Sequence, residues 1–482
     1  LDVEHHDTGE TGTAALPMDI MFARGENYKI KFSKALSNGG KFDARLNYQD
    51  AEHLMNNYVL RTGPTMDMMM GMMLMTVDMH RFALTDVETH GYHFTYGKGN
   101  WLVGIDGDQA EHNATMYDPN NTDFYLENYK DIERDRNSIF AEWKGALSND
   151  WKLEAGARYT RVSMDAGKVN SNVINAMIPM SAMMQMQLNP LATAFNSADR
   201  DQDDNLVDLA AVFTRKIDDN LDIELGLARK ERAPSYQERY LWATMESTSG
   251  LADGNNYVGD VNLDAETAYQ VELGFDWHTP KAAFSPRAFY HHINDYIQGT
   301  NYGCPVMGDP VCMLSNMMGD PTRPTLQYSN VDAKLYGLDA NWFIAVTNEW
   351  QLDGTVSYVR GKRRDTSDNL YRIAPLTART MLSYVQTGWR VGLEAVTVAS
   401  QNKVSKENDE LKTAGYAVFN LNGNYQPTEM VTITAGVNNL FDRGYENHLG
   451  GYNRISDSTD IGHMDRLPGL GRSAYVGVNV NW

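Results

Sequence analysis

The sequence predicts an all-β fold, a transmembrane antiparallel β-barrel of about eighteen strands. Three observations carry the prediction: alternation with period two, connections sorted by length, and an aromatic-ended final strand. The alternation is plainest in Tyr269-Gln270-Val271-Glu272-Leu273-Gly274-Phe275-Asp276-Trp277, where odd positions are apolar or aromatic and even ones polar or glycine. It recurs at Trp151, Leu153, Ala155, Ala157 and Tyr159, at Leu352, Gly354, Val356 and Tyr358, and at Ala417, Phe419 and Leu421. Successive side chains of a strand point to opposite faces, so each segment has one apolar face and one wet face. In a soluble sandwich the apolar face meets a second sheet; in an outer-membrane barrel it meets lipid.

The connections decide between the two. Short turns rich in Gly, Asn and Asp fall at 37–40, 98–100, 148–150, 218–220, 279–281, 347–349, 387–388 and 427–429. Between them lie long polar segments, such as 165–205, 230–265, 299–326 and 441–472. Tight turns at one end and long loops at the other are the signature of a bacterial outer-membrane barrel, and a sandwich has no reason to sort its loops so. Eight turns imply sixteen strands; the stretch ending at Trp482 and the first residues bring the number to about eighteen. That last stretch, Val476-Gly477-Val478-Asn479-Val480-Asn481-Trp482, alternates and ends on an aromatic residue. No domain boundary is visible, so residues 1–482 read as one barrel.

Composition removes several other classes. With 26 Tyr, 15 Phe and 9 Trp among 482 residues, the chain has too much apolar area to stay disordered. No stretch reaches the ~18 apolar residues that a spanning helix needs. A formal net charge of −21 argues against nucleic acid as a partner. Leu1-Asp2-Val3-Glu4-His5-His6 has neither a basic start nor an apolar core, so a mature or truncated product is expected. No nucleophile elbow, phosphate loop or zinc-protease motif occurs, and no enzymatic chemistry is expected.

Methionine is the oddest feature. Met66, Met68, Met69, Met70, Met72, Met73, Met75 and Met79 fall within fourteen residues; Met177, Met180, Met183, Met184 and Met186 form a second cluster, and Met307, Met313, Met317 and Met318 a third. All three lie in predicted long loops. Thioether sulfur is a soft ligand suited to Cu(I), and it needs no deprotonation. The competing reading is an adaptable apolar surface. The strand alternation also places His53 and Met55 on one face, as two ligands of one ion require. His5, His6, His90, His93, His291 and His292 show no clear partners in the sequence. Asp199, Asp201, Asp203 and Asp204 lack the spaced Gly and terminal Glu of an EF-hand, and a solvated loop is the expectation there. Cys304 and Cys312 share one surface loop on an oxidising route, which predicts a disulfide; the rival is a metal-binding pair beside Met307 and Met313.

The segment Ala435-Gly436-Val437-Asn438-Asn439-Leu440-Phe441-Asp442-Arg443-Gly444-Tyr445 resembles the penultimate-strand signature of TonB-dependent outer-membrane receptors. Within that family, Leu46-Asn47-Tyr48-Gln49-Asp50-Ala51-Glu52-His53-Leu54-Met55-Asn56-Asn57-Tyr58 and Asn330-Val331-Asp332-Ala333 resemble the copper-receptor branch of the OprC and NosA type. The resemblance implies a 22-stranded barrel in the bacterial outer membrane, closed by an N-terminal plug through which the TonB complex acts. It further implies a His-x-Met on the barrel, matched by His53-Leu54-Met55, paired with a Cys-x-x-x-Met in the plug to hold copper. No Cys-x-x-x-Met occurs in this sequence and no plug-like segment precedes the first strand. The expectation is a fragment lacking the plug and the first strands; a plug on a separate chain and a plugless open pore are the alternatives. The resulting expectation is a monomeric copper importer amid outer-membrane lipid and lipopolysaccharide. Copper is its cargo, captured by His53, Met55, Met66, Met68, Met69, Met70, Met72, Met73 and Met75. A receptor for a siderophore or other metal chelate, and a passive porin, are the rival readings.

Overall fold

The computed structural model describes residues 1–70, 73–175, 177–244, 252–319 and 321–481. Twenty-two strands and three helices are present among them. Four strands are local: the hairpin Thr65–Met70 and Met73–Asp78, the pair Ser171–Asn172, and Asn256–Val258. The other eighteen pair antiparallel with their neighbours in chain order, from Asp2–Thr8 through to Ser473–Val480. All eight predicted turns join adjacent strands of this wall, as at Trp101 following Lys98 and Leu221 following Asp218. The predicted aromatic end at Trp482 lies outside the described residues.

Aromatic side chains fix the height of the lipid band. On three strands Trp151 and Tyr159, Tyr269 and Trp277, and Trp350 and Tyr358 point outward and are exposed. Each pair is eight residues apart, about 26 Å along the strand at ~3.3 Å per residue. With a strand tilt of ~40° this gives about 20 Å across the membrane, close to the ~25 Å apolar band between the aromatic girdles of such barrels. Val271, Leu273 and Phe275 fill the outward positions between Tyr269 and Trp277 and are exposed. Inward, Glu272 faces His291 at 3.7 Å and Asp276 accepts a hydrogen bond from Arg287 at 2.9 Å. His291 thus has a carboxylate beside it, as does His90, 3.1 Å from Glu88.

Above the band the strands continue, up to 26 residues in Asn121–Ala146, and carry a layer of loops on their long-loop end. Three predicted loops contain helices, the short Tyr236–Tyr240 and the longer Pro179–Ser197 and Pro310–Met318. Helix Pro179–Ser197 buries Met184, Leu188 and Phe195 against Leu126, Tyr240 and Leu314, giving the loops an apolar core of their own. Asp309 caps helix Pro310–Met318, accepting hydrogen bonds from the backbone N–H groups of Val311 and Cys312.

Cys304 and Cys312 form the expected disulfide. It ties the loop to the first turn of this helix, and closing a short loop contributes about 2–3 kcal/mol by limiting the unfolded ensemble. Thiol labelling of the unreduced protein should therefore find no free cysteine, and a Cys304→Ser, Cys312→Ser variant should be cut faster by protease between residues 302 and 312.

Two of the four aspartates correct the sequence reading, while Asp199 and Asp201 lie in an exposed loop as expected. Asp203 and Asp204 belong to the strand Gln202–Asp218 and not to a solvated loop. Asp203 pairs with Arg161 on the outer face, while the buried Asp204 accepts two hydrogen bonds from the buried Arg239.

Candidate metal-binding site

His53 and Met55 lie near the upper end of strand Lys41–Asn56. Leu46 points to lipid, so its even-numbered neighbours Tyr48, Asp50 and Glu52 share the outer face and His53 and Met55 point into the lumen. Outward carboxylates at Asp50 and Glu52, the latter paired with Arg24, place this stretch above the hydrocarbon. The neighbours of His53 across the ladder are Ala23 and Thr85, and those of Met55 are Ile20 and Ala83. Neither ladder neighbour offers a charged group to the imidazole, which is half-buried. Partial burial holds its pKa below the ordinary 6.5, so the ring is neutral at neutral pH and its lone pair is available to a metal.

Above Met55 a cavity of about 460 Å³ is lined by Met18, Met66, Met79, Met116, Met184, Met317 and Met318, with His463 at its wall. One or two residues from each predicted methionine cluster thus reach a common space, and Met18 and Met116 complete it. Met55 packs against the same apolar cluster as Met18, Met116 and Met184. The elements that set these side chains are separate. Asn57 clips the base of the methionine hairpin, donating to the carbonyl of Met79 and accepting from the N–H of Arg81. Arg61 ties the Met18 segment down through two bonds to Asp19 and others to the carbonyls of Leu16 and Thr13. Met184 comes from the inner face of its helix, and Met317 and Met318 from the last turn of the helix behind the disulfide.

Not every predicted ligand reaches this place. Met75 lines a second recess of about 780 Å³ with Met177, Asn121 and Asn175. Met177, Met180, Met183 and Met186 are exposed, and Met307 is fully exposed. Met72, and the side chains of Met68, Met69, Met70 and Met73, lie outside the described residues.

Two of the arginines at the cavity are held by carboxylates. Arg61 is paired with Asp19, and Arg81 with Asp118 while its guanidinium lies 4.2 Å over the ring of Phe124. Among the described residues no three His, Cys, Asp or Glu side chains converge as a metal-holding group. A metal in this cavity would meet seven thioethers and one imidazole, with Asp457 and Asn57 also at the wall, a sulfur-rich donor set better suited to a soft monovalent cation than to Mg²⁺ or Ca²⁺. Met18, Met116 and His463 were missed from the sequence because they are single residues far apart in it.

A strand wall with lipid-facing aromatic girdles, short turns at one end and a folded loop layer at the other defines a bacterial outer-membrane β-barrel. The chain belongs to the TonB-dependent receptor family: residues 7–440 match the family model "TonB dependent receptor-like, beta-barrel". It is 25% identical over 238 residues to the iron-regulated outer membrane virulence protein of Vibrio cholerae serotype O1, covering 46% of this chain and 34% of that protein. It is 26% identical over 251 residues to the ferric enterobactin receptor of Pseudomonas aeruginosa, covering 48% of this chain and 32% of the receptor. The aligned region thus spans about a third of these relatives. Among solved structures, the copper transporter OprC has the same fold with a TM-score of 0.75 and 23% identity, over 98% of this chain and 67% of that one. A ferric enterobactin receptor from Pseudomonas aeruginosa superposes with a TM-score of 0.59 and 15% identity, over 98% of this chain and 72% of the receptor.

Proposed function

We propose that this chain is the barrel of a receptor that imports copper, driven by the TonB complex, with the methionine-lined cavity as the waiting place above His53 and Met55. The observation that carries the reading is the convergence of seven methionines from sequence-distant segments on one space. Apolar packing alone would be met as well by leucine, whereas a soft cation needs the sulfur. The named function of OprC agrees with this reading. Exposed methionines on the loops take up the ion first, the cavity holds it, and His53 with Met55 receives it. One imidazole and one thioether leave copper under-coordinated, so further soft ligands from a plug are part of the proposal. Cargo handled by thioethers is held without competition from protons, and the neutral His53 loses its lone pair only below pH 6.5.

A second reading rests on a specific observation. Arg61, Arg81 and Arg454 all reach the cavity wall, and the relatives include ferric enterobactin receptors, so an anionic metal chelate is the rival cargo. Replacing Met66, Met116, Met184 and Met317 by Leu separates the two, because the swap keeps volume and apolarity at a cost usually below ~1.5 kcal/mol per site. Copper import predicts that Ag(I) or Cu(I) binding to the full-length receptor weakens about ten-fold or more, equal to ~1.4 kcal/mol or more. A His53→Ala, Met55→Ala variant should lower the copper retained after purification. Full retention in both variants, together with tight binding of a ferric chelate, would establish the rival.

A further inference from the structure

The outer wall carries an apolar groove of about 360 Å³ near its short-turn end, lined by Phe42, Phe94, Tyr96, Val103, Ile105 and Ile139 with Ala141 at its floor. Ladder register defines its walls. Phe42, Tyr96, Val103 and Ala141 form one outward row, continued by Lys34. The row above runs Phe32, Ala44, Phe94, Ile105 and Ile139, and the row below runs Lys98, Trp101 and Trp143. Phe42 and Phe94 stack with centroids 6.4 Å apart, making one stiff side, while Ala141 leaves the gap beside Ile139. Val103, Ile105 and Ile139 are exposed, so the groove opens toward lipid.

Its position and its edge charges select an occupant. The groove lies beside the turns at 37–40 and 98–100, and short turns mark the periplasmic side, where the leaflet is phospholipid and not lipopolysaccharide. Lys98 stands exposed in the row below the groove and Lys34 exposed at the end of the groove's own row beyond Phe42, in a chain whose formal net charge is −21. Lysines at that level extend their stems along apolar surface and bring the ammonium to the headgroups, where a phosphate is the matching anion. The volume falls within the ~300–1,000 Å³ typical of small-molecule sites.

We propose that this groove is a seat for one anionic glycerophospholipid of the periplasmic leaflet, an acyl chain lying between Phe94 and Ile139 and the phosphate meeting Lys34 and Lys98. The seat is independent of the cargo. The test is native mass spectrometry of the full-length receptor, extracted in mild detergent, with phosphatidylglycerol as the added probe. The wild type should retain about one phospholipid per chain after delipidating chromatography. Ala141→Phe, which fills the floor, and Lys34→Glu with Lys98→Glu, which reverses the edge, should each weaken phosphatidylglycerol binding about ten-fold, equal to ~1.4 kcal/mol. The lysine variant leaves the apolar wall intact and decides the matter should Ala141→Phe fail to assemble. Unchanged retention in the lysine variant, or lipid A as the only lipid retained, would overturn the proposal.

Discussion

Leu273→Arg is expected to destabilise the assembled barrel by about 2–4 kcal/mol, while Gln270→Arg three residues away costs a small fraction of that. Leu273 stands midway between the girdle residues Tyr269 and Trp277 and is 57% exposed toward lipid. Its ladder partners Leu225 and Ala288 offer no carboxylate, so a guanidinium there has neither water nor a counter-ion. Gln270 points the other way, and its ladder partner is His291 on the wet inner wall. Unfolding of both variants in urea from lipid vesicles, followed by tryptophan fluorescence, measures the difference. Equal midpoints would mean that the inside and outside of the wall have been interchanged.

The second large effect concerns the loop layer. Asp204→Ala should loosen it by about 3–5 kcal/mol, because it leaves the Arg239 guanidinium buried without its carboxylate. Both side chains are buried, and the two bonds between them measure 2.7 and 3.0 Å. Arg239 also donates to the carbonyl of Leu263 and sits next to Tyr240, whose hydroxyl lies 2.7 Å from the carbonyl of Arg200 and 3.0 Å from that of Met164. The pair therefore fastens the stretches around Arg239 and Leu263 to the barrel rim. Limited proteolysis should cut those stretches much faster in Asp204→Ala. Adding Arg239→Ala should restore part of the protection, since no charge is then stranded. A double variant as fragile as the single one would show that packing around Tyr240, and not the ion pair, holds those stretches.

The wall was legible in the sequence because lipid imposes a strict period of two and hairpin turns demand Gly, Asn or Asp. Residues Tyr269 to Trp277 and all eight turns show it. Legibility failed where the strands leave the membrane. At Asp203 and Asp204 the outer face is already polar, so alternation no longer separates inside from outside, and two strand residues read as loop. The helices at Pro179–Ser197 and Pro310–Met318 carry helix-favouring Met, Ala, Gln and Leu, but they lie inside long segments that read as loops. The cavity could not be read at all from Met18 or Met116, because only the register sets Met55, Ala83 and Met116 in one row. What the sequence did supply was composition: three methionine clusters, each of which sends a part inward.

The cavity walls come from the segments around residues 18, 66–79, 116, 184 and 317–318, which share no stretch of backbone. Whatever binds there is a cross-link among all of them. Its binding energy is then coupled to the order of the whole loop layer, which gains RT ln(1 + [L]/Kd), about 2.7 kcal/mol at a hundred-fold excess over Kd. On the copper reading proposed above, the extracellular face stiffens or loosens with the free concentration of the ion. Its resistance to proteases and to heat becomes a gauge of supply, even though the barrel beneath it stays unchanged.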